Sequence, residues 1–293
     1  MSKSLIKGYI LVIISAVIYG TMPLMASHIY ASGVNSITLT FFRNALSLPF
    51  IALIVKLSGK KIKVQTKMIP SIVLISLMGS AVTPLLLLSS YNFMPSGVAT
   101  VLHFIYPAIV FIIEIIFLKK KIPYTKLLSL ILCISGILMF YTPGQKLSLI
   151  GSAIALVSGI TYAIYVVLLS EFKYKKEVSG FVFGFMVAAV CSVILFFVIL
   201  FTKQFALPQS LSGWILSFTF AILVNIGAVI LFQQGTFLIG GARASILSTF
   251  EPVTSVVTGV LFLGEVIGIS TLTGTILVIL SSILITVFDL KKE

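Results

Sequence analysis

Residues 96–118 read SGVATVLHFIYPAIVFIIEIIFL, and residues 241–263 read GARASILSTFEPVTSVVTGVLFL. Each stretch is mostly apolar over the roughly 20 residues that a helix needs to cross the hydrocarbon core of a bilayer. The two stretches align without a gap, so that Pro107 meets Pro252 near the middle of each. The alignment indicates a membrane-spanning unit that occurs twice in the chain.

The composition also indicates a membrane protein. The 293 residues are 59% hydrophobic and 9% charged, whereas soluble domains carry roughly 25% charged residues. So apolar a chain has too few polar side chains to cover a water-exposed surface, but lipid solvates an apolar surface. The net charge of +13 does not indicate a nucleic-acid partner, because lysine and arginine form short clusters between apolar runs instead of one continuous basic face.

Dividing the chain at lysine clusters and at glycine, proline and asparagine turns predicts ten membrane-spanning helices. The chain is therefore predicted to be an all-α polytopic membrane protein. The predicted spans are 6–27, 35–56, 68–90, 96–118, 123–141, 148–170, 179–201, 211–235, 241–263 and 267–288.

The positions of lysine and arginine predict the orientation, since cytoplasmic loops are enriched in both. With ten spans and a cytoplasmic N-terminus, the clusters after the second, fourth and sixth spans all lie inside, and only Lys146 and Lys203 lie outside. We therefore expect both termini in the cytoplasm and localisation in a plasma membrane, such as the inner membrane of a bacterium. The inside clusters contain Lys56, Lys60, Lys61, Lys63, Lys67, Lys119, Lys120, Lys121, Lys126, Lys173, Lys175 and Lys176.

The first spans of the two repeats match as well. GYILVIISAVIYG near the N-terminus aligns with GSAIALVSGITYA in the middle of the chain, so that Ser15 meets Ser158 and Tyr19 meets Tyr162. The repeats are therefore predicted to be residues 1–143 and 144–293, with five spans each. Because five is odd, the second repeat enters the membrane from the opposite side. Inverted repeats around a central cavity are typical of secondary transporters.

The two aligned stretches resemble a known family. VATVLHFIYPAIVFIIEIIFLKKKI at 98–122, RASILSTFEPVTSVVTGVLFLGEVI at 243–267 and the arginine in LTFFRNALSLPF are similar to proteins of the drug/metabolite transporter superfamily that carry two tandem EamA domains. The resemblance implies ten helices, cytoplasmic termini and a solute cavity between the repeats. The sequence departs from the family at Lys119-Lys120-Lys121 and at Tyr19-Gly20. The resemblance leaves the identity of the solute open, since one fold can carry many different solutes.

Four ionisable residues lie at membrane depth: Arg43, His103, Glu114 and Glu251. Each costs from about 2.5 kcal/mol upward in lipid, so each should face the interior of the bundle or a wet cavity. Glu251 lies near the middle of its span, directly before Pro252. Its carboxylate is predicted to bind a cationic solute or carry a proton, or alternatively to form a fixed ion pair with Arg43.

The other three residues at depth have competing interpretations too. Arg43 either holds the carboxylate of a solute or neutralises Glu251, and we favour the second role. His103 is either a titratable gate or a hydrogen-bonded core residue. Glu114 is predicted to form a surface pair with Lys119 or Lys120, with the lysine stem reaching along the protein surface.

Tyr106 is the repeat mate of Glu251 and precedes Pro107. It either offers its ring face to a cation or packs with its hydroxyl bonded to a neighbouring helix. The remaining candidates share polar or aromatic side chains within or near the spans, and for each of them helix–helix hydrogen bonding is the alternative role. These candidates are Tyr19, Tyr91, Asn92, Tyr162, Asn225, Gln233 and Gln234, and the predicted hinges are Pro23, Pro84, Pro107 and Pro252.

The sequence lacks the motifs of several other functions. It has no P-loop, no HExxH motif and no GxSxG elbow, and two histidines cannot build a multi-histidine metal centre. We therefore expect no enzyme, metal or cofactor. The prediction is a secondary active transporter of a small metabolite or drug-like solute, such as an amino acid or amine, with proton-coupled export as one mode. A passive channel, or a membrane-embedded enzyme or receptor, is the alternative, and the expected assembly is a monomer or homodimer.

Overall fold

The computed structural model describes residues 3–62, 65–121, 123–139, 148–263 and 268–290. Within these ranges the regular structure is helical and forms ten consecutive segments, which we number 1 to 10. The segments are Lys3–Tyr19 with Met22–Ala31, Ser36–Ala45 with Leu48–Leu57, Thr66–Ser90, Ser96–His103 with Tyr106–Ile116, Tyr124–Leu138, Leu149–Ser170, Gly180–Thr202, Leu211–Ile239, Gly241–Leu247 with Phe250–Leu263, and Ile269–Leu290.

The ten helices predicted from hydropathy are present. In the described part of the chain, segments 1–4 and 6–8 are long and apolar enough to cross a membrane, and shorter apolar helices cover Tyr124–Leu138 and Ile269–Ile285. Large apolar side chains such as Leu53, Phe196 and Phe201 point outward and are more than half exposed. Such a surface suits contact with acyl chains, so the chain is a multi-pass membrane protein.

Four segments are interrupted, and a proline follows each interruption within the next turn. Segments 1, 4 and 9 are interrupted before Pro23, Pro107 and Pro252, three of the four prolines predicted to be hinges. Proline lacks the N–H that would bond back to the preceding turn, and its ring clashes there. Segment 2 is also interrupted, before Pro49, which the sequence analysis did not select.

Two segments contain π-helix at corresponding places in the two repeats. Leu77–Val82 is π-helical in segment 3, and Ala221–Val229 is π-helical in segment 8. Pro84 lies two residues after the end of the first of them. π-Helix is rare and concentrates at functional sites. Its presence in both repeats makes the space between segments 3 and 8 a candidate for the functional site.

The first five segments intertwine with the last five. Segment 1 packs on segments 8 and 9, and segment 6 correspondingly packs on segments 3 and 4. Segment 2 packs on segment 7, and segment 5 on segment 10. In the last pair the helices touch at Gly136 and Gly274, where an added Cβ on either residue would lie within 2.8 Å of the other's carbonyl oxygen. The core is therefore built between the repeats and not within each repeat alone.

The connections after segments 2, 4 and 6 meet at one end of the bundle, which we call the lysine-rich end. There Lys67 Nζ lies 3.7 Å from Glu177 Oε2, and Lys120 Nζ lies 2.6 Å from Glu171 Oε1. At the opposite end, the connections after segments 1 and 7 meet, and Gln209 N–H donates to the carbonyl of Ser32 over 2.8 Å.

Glu114 corrects one expectation. Lys120 Nζ does lie 3.4 Å from Glu114 Oε1, but the glutamate is buried and is not a surface group. A Cβ added to Gly241 of segment 9 would stand 3.3 Å from the same oxygen. Because segment 9 covers the carboxylate, Lys120 has to reach inward to meet it.

Candidate functional site

A small cavity lies near the middle of the bundle, between the two repeats. Its volume is about 30 Å³, which is room for about two water molecules, since one needs roughly 10–15 Å³. Segments 1, 2, 3, 4, 6 and 9 contribute to its wall. The lining residues are Tyr19, Met22, Arg43, Gly79, Thr83, Pro84, Leu87, His103, Tyr162 and Glu251.

Glu251 reaches the cavity because segment 9 is interrupted beside it. The N–H of Glu251 donates to the carbonyl of Ser248 over 2.9 Å, the very carbonyl that Pro252 cannot bond. Gly20 of segment 1 packs directly on the Glu251 backbone, where an added Cβ would stand 2.7 Å from its carbonyl oxygen. The side chain is 9% exposed, and its accessible part lies in the cavity wall.

Arg43 reaches the same cavity from the last turn of Ser36–Ala45 in segment 2. It is 2% exposed, and its Nε has no hydrogen-bond partner. The ion pair favoured from the sequence is not formed: the ion pairs among the described residues are Lys67–Glu177 and those of Lys120 with two glutamates. Tyr19 lines the same cavity as Arg43 and Glu251.

His103 ends the first helix of segment 4 and is held by segment 6. Its Nδ1 lies 2.8 Å from the Oγ of Ser158, and its ring centroid lies 5.3 Å from that of Tyr162. Which partner donates depends on the tautomer of the imidazole. The residue is thus both a hydrogen-bonded core histidine and part of the cavity wall, so both interpretations remain compatible with its place.

An aromatic cluster lies beside the cavity toward the lysine-rich end. It consists of Tyr106, Tyr162, Tyr165 and Phe232, from segments 4, 6 and 8. Tyr106 and Tyr162 pack edge to face with centroids 4.7 Å apart, and Phe232 stacks on Tyr162 at 5.8 Å and on Tyr165 at 6.2 Å. The Tyr106 hydroxyl donates to the Ser245 carbonyl of segment 9 over 3.4 Å. Tyr106 therefore packs within this cluster and does not line the cavity.

Tyr19 and Tyr162, which are repeat mates, line the cavity together. The other polar candidates lie elsewhere. Asn225 Nδ2 donates to Ser47 Oγ over 2.6 Å, and the hydroxyls of Tyr91 and Thr100 lie 3.3 Å apart. The remaining three are Asn92, which is exposed, Gln233, whose buried amide has no hydrogen-bond partner, and Gln234, which packs on Gly180.

Several cavity residues were not selected from the sequence, most of them in segment 3. Gly79, Thr83 and Leu87 recur every four residues, which places them on one helix face. Thr83 Oγ1 also lies 2.7 Å from Thr161 Oγ1 of segment 6. A small, a polar and an apolar residue at this spacing is a usable signal for a cavity wall. Met22, the fourth such residue, carries no comparable signal.

Comparison with known proteins identifies the class. The fold is that of a crystal structure that matches 98% of this chain and 98% of its own with a TM-score of 0.78, at 14% sequence identity. The inner membrane transporter YicL of Salmonella typhimurium, itself uncharacterized, is 27% identical over 98% of this chain and 97% of its own. An uncharacterized transporter of Archaeoglobus fulgidus is 24% identical over 91% of this chain and 92% of its own.

The profile of the EamA-like transporter family matches residues 6–142 and again residues 149–287. The chain belongs to this family. It is a membrane transporter and not an enzyme.

Proposed function

We propose that this protein is a secondary active transporter that moves a small metabolite or drug-like solute across the plasma membrane by alternating access. Residues 1–143 and 144–293 would form two halves inserted in opposite directions, with both termini in the cytoplasm. The observation that carries the proposal is a cavity between the halves whose wall contains two charged residues at membrane depth, Arg43 and Glu251.

The packing between the halves supports opposite insertion. Segment 1 lies on segments 8 and 9, while its repeat mate, segment 6, lies on segments 3 and 4. Exchanging the repeats thus reproduces the same contacts, as expected for halves related by a pseudo-two-fold axis in the membrane plane. The lysines of the connections after segments 2, 4 and 6 gather at one end, which fits a cytoplasmic location.

Transport requires the cavity to widen, because a metabolite is larger than two water molecules. Toward the lysine-rich end the aromatic cluster fills the path. Toward the opposite end a smaller buried cluster fills it, which includes Met22, Leu87 and Leu88. The aromatic cluster and the smaller cluster both consist of packed side chains next to an interrupted or π-helical backbone. The two clusters can therefore open alternately with limited movement of the rest of the bundle.

Glu251 is the proposed coupling residue. It is ionisable, it lies beside an interrupted helix, and it forms none of the ion pairs of the described residues. Proton binding and cation binding at one carboxylate exclude each other, and this competition is the simplest way to couple export of a solute to entry of a proton.

The test is solute flux in proteoliposomes that contain purified protein, with and without an imposed pH gradient. We expect saturable uptake or counterflow that the gradient accelerates, and in Glu251→Gln a flux that no longer depends on the gradient. Glu177→Gln, which removes a carboxylate at the lysine-rich end, is the matched control and should behave as wild type. Ohmic current without counterflow would indicate a channel and contradict the proposal.

A further inference from the structure

Lys120 joins the two repeats at the lysine-rich end. Its Nζ lies 2.6 Å from Glu171 Oε1, directly after segment 6, and 3.4 Å from Glu114 Oε1, within segment 4. The Glu114 side chain is 8% exposed, whereas that of Glu171 is 47% exposed. One lysine thus connects a buried carboxylate of the first repeat with an exposed carboxylate of the second.

The backbone before Lys120 turns this residue toward Glu114. Lys119 has a φ of 50°, in the left-handed region that costs free energy for a residue with a Cβ. After this turn, the N–H of Lys120 donates to the carbonyl of Glu114 over 3.0 Å. Both the backbone and the side chain of Lys120 therefore bond to Glu114, and these bonds offset the strain at Lys119.

The alignment of the two repeats gives this pair no counterpart. Lys120 meets Glu265 in the second repeat, and Glu114 meets Gly259, so an acid and a glycine replace the base and its buried acid. In the described part of the chain, every ion pair lies at the lysine-rich end. The two ends of the bundle, which the repeats otherwise make similar, therefore differ in their charge pairing.

The Lys120 pairs lie on segments that also close the path to the cavity. Segments 4, 6 and 9 meet at Gly241, where an added Cβ would stand 3.3 Å from Glu114 Oε1 and 3.2 Å from a hydroxyl of segment 6. About two turns deeper, Tyr106 of segment 4 packs on Tyr162 of segment 6, with ring centroids 4.7 Å apart. Lys120 thus holds together, at the lysine-rich end, segments that the aromatic cluster joins below it.

We infer that Lys120 is a latch whose two ion pairs hold the lysine-rich end closed, and that this end opens when the pairs break. The inference rests on the proposed transport function and adds a regulated step to it. When the segments separate, water reaches Glu114, and charges attract each other only weakly in water. Because the described residues place ion pairs at this end alone, the latch shifts the resting population toward conformations closed to the cytoplasm.

Thiol labelling at two buried serines tests the latch. Ser170 ends segment 6 at the lysine-rich end, Ser90 ends segment 3 at the opposite end, and both are buried. Ser170→Cys and Ser90→Cys are each combined with Lys120→Gln, and the rate of reaction with a small thiol reagent is measured on the purified protein. Protein with only the native Cys133 and Cys191, both buried, serves as the blank.

In Lys120→Gln we expect Ser170→Cys to react about three- to tenfold faster, the factor that a partly exposed ion pair contributes to an equilibrium. The rate at Ser90→Cys should stay the same or fall, because opening of one end accompanies closure of the other. The chemical effect of the lost lysine charge has the opposite sign, since a nearby cation favours the reactive thiolate. Faster labelling at Ser170→Cys therefore reports opening.

Three further variants assign the effect to the ion pairs. Lys120→Arg keeps a cation that reaches both carboxylates and should label as slowly as wild type. The double variant Glu114→Gln with Lys120→Gln leaves no buried charge unpaired, so it should fold well and still label fast at Ser170→Cys. Lys67→Gln removes the exposed pair with Glu177 at the same end and should label as wild type. Equal acceleration in Lys67→Gln would overturn the specific role of Lys120.

The outcomes separate the latch from the transport function. Unchanged labelling at Ser170→Cys in Lys120→Gln and in the double variant, with normal flux in proteoliposomes, would overturn the latch and leave the transporter standing. Equal acceleration at both serine positions would also overturn it, since Lys120 would then stabilise the whole fold and not one end. Selective acceleration at Ser170→Cys, in a protein that shows no flux of any solute, would support the latch and overturn the transport function.

Discussion

Ser158 of segment 6 holds the imidazole of His103 in segment 4, with 2.8 Å between Oγ and Nδ1. Its repeat mate in segment 1, Ser15, donates to the carbonyl of Ala228 in segment 8, also over 2.8 Å. Both serines are fully buried, and each joins one half of the chain to the other. The contacts between the halves are therefore specific hydrogen bonds as well as apolar packing, and the residues beside these serines should tolerate little change.

Gly159→Ala tests the tight contact next to Ser158. An added Cβ would stand 2.6 Å from the carbonyl oxygen of His103, and backbone cannot move aside as a flexible side chain can. We expect the free energy of unfolding to fall by about 1–3 kcal/mol, seen as a lower thermal midpoint in detergent. The matched control is Gly97→Ala, also helical, where an added Cβ meets nothing within 4 Å. Equal midpoints for the two variants would contradict the contact.

Glu251→Gln tests the role of the carboxylate within the cavity. Glutamine has nearly the same shape, and the Glu251 side chain forms no ion pair that folding would lose. We expect the thermal midpoint to stay within a few degrees while flux of the solute falls by about tenfold or more. The measurements are thermal unfolding and counterflow on the same preparation. A large fall in the midpoint with normal flux per folded molecule would reverse the interpretation and make Glu251 a structural residue.

Lys120→Gln tests the ion pairs at the lysine-rich end. Burial alone lowers the pKa of this lysine, but the hydrogen bonds and charges of Glu171 and Glu114 outweigh burial and raise it above its usual value. The stabilisation is therefore complete at neutral pH and is lost only as the pH rises through the raised pKa. Because Glu114 is buried and loses its partner, we expect a loss of about 1–3 kcal/mol at pH 7.

The control for this prediction is Lys67→Gln. The Lys67–Glu177 pair is 3.7 Å long and both side chains are largely exposed, so its removal should change stability by less than about 1 kcal/mol. Thermal midpoints at pH 7 compare the two variants. If Lys67→Gln were the more damaging change, the burial of Glu114 would not be the source of the stabilisation.

Labelling of introduced cysteines tests the orientation. Asn92 lies in the connection after segment 3 and Lys176 in the connection after segment 6, and both are exposed. In intact cells, Asn92→Cys should react with a membrane-impermeant thiol reagent, and Lys176→Cys should react only after permeabilisation. The native Cys133 and Cys191 are fully buried and should contribute little background. The reverse pattern would place the lysine-rich end outside.

The number and position of the helices followed from the sequence, because the cost of exposing polar groups to lipid acts on every residue of a span. The interruptions before Pro107 and Pro252 followed as well, since proline restricts the backbone on its own. Glu251, Tyr19 and Tyr162 line the cavity, and all three could be selected from the sequence, because ionisable groups at membrane depth and repeat mates are both visible there.

Other features depend on relations that the sequence does not contain. Arg43 and Glu251 were expected to pair, but pairing depends on the distance between segments 2 and 9, which the order of residues along the chain does not give. Glu114 is buried because a distant segment covers it. The π-helices of segments 3 and 8 have no strong local signal, since they differ from α-helix only in how the same residues are wound.

The π-helix Leu77–Val82 determines which residues of segment 3 face the cavity. A π turn takes up one residue more than an α turn, and each residue accounts for about 100° of rotation. If the same residues were wound as an ordinary α-helix, the helix beyond them would be rotated by about that angle. Thr83, Pro84 and Leu87 would then leave the cavity wall together. The wall is thus determined by how many residues this turn holds, as well as by which residues they are.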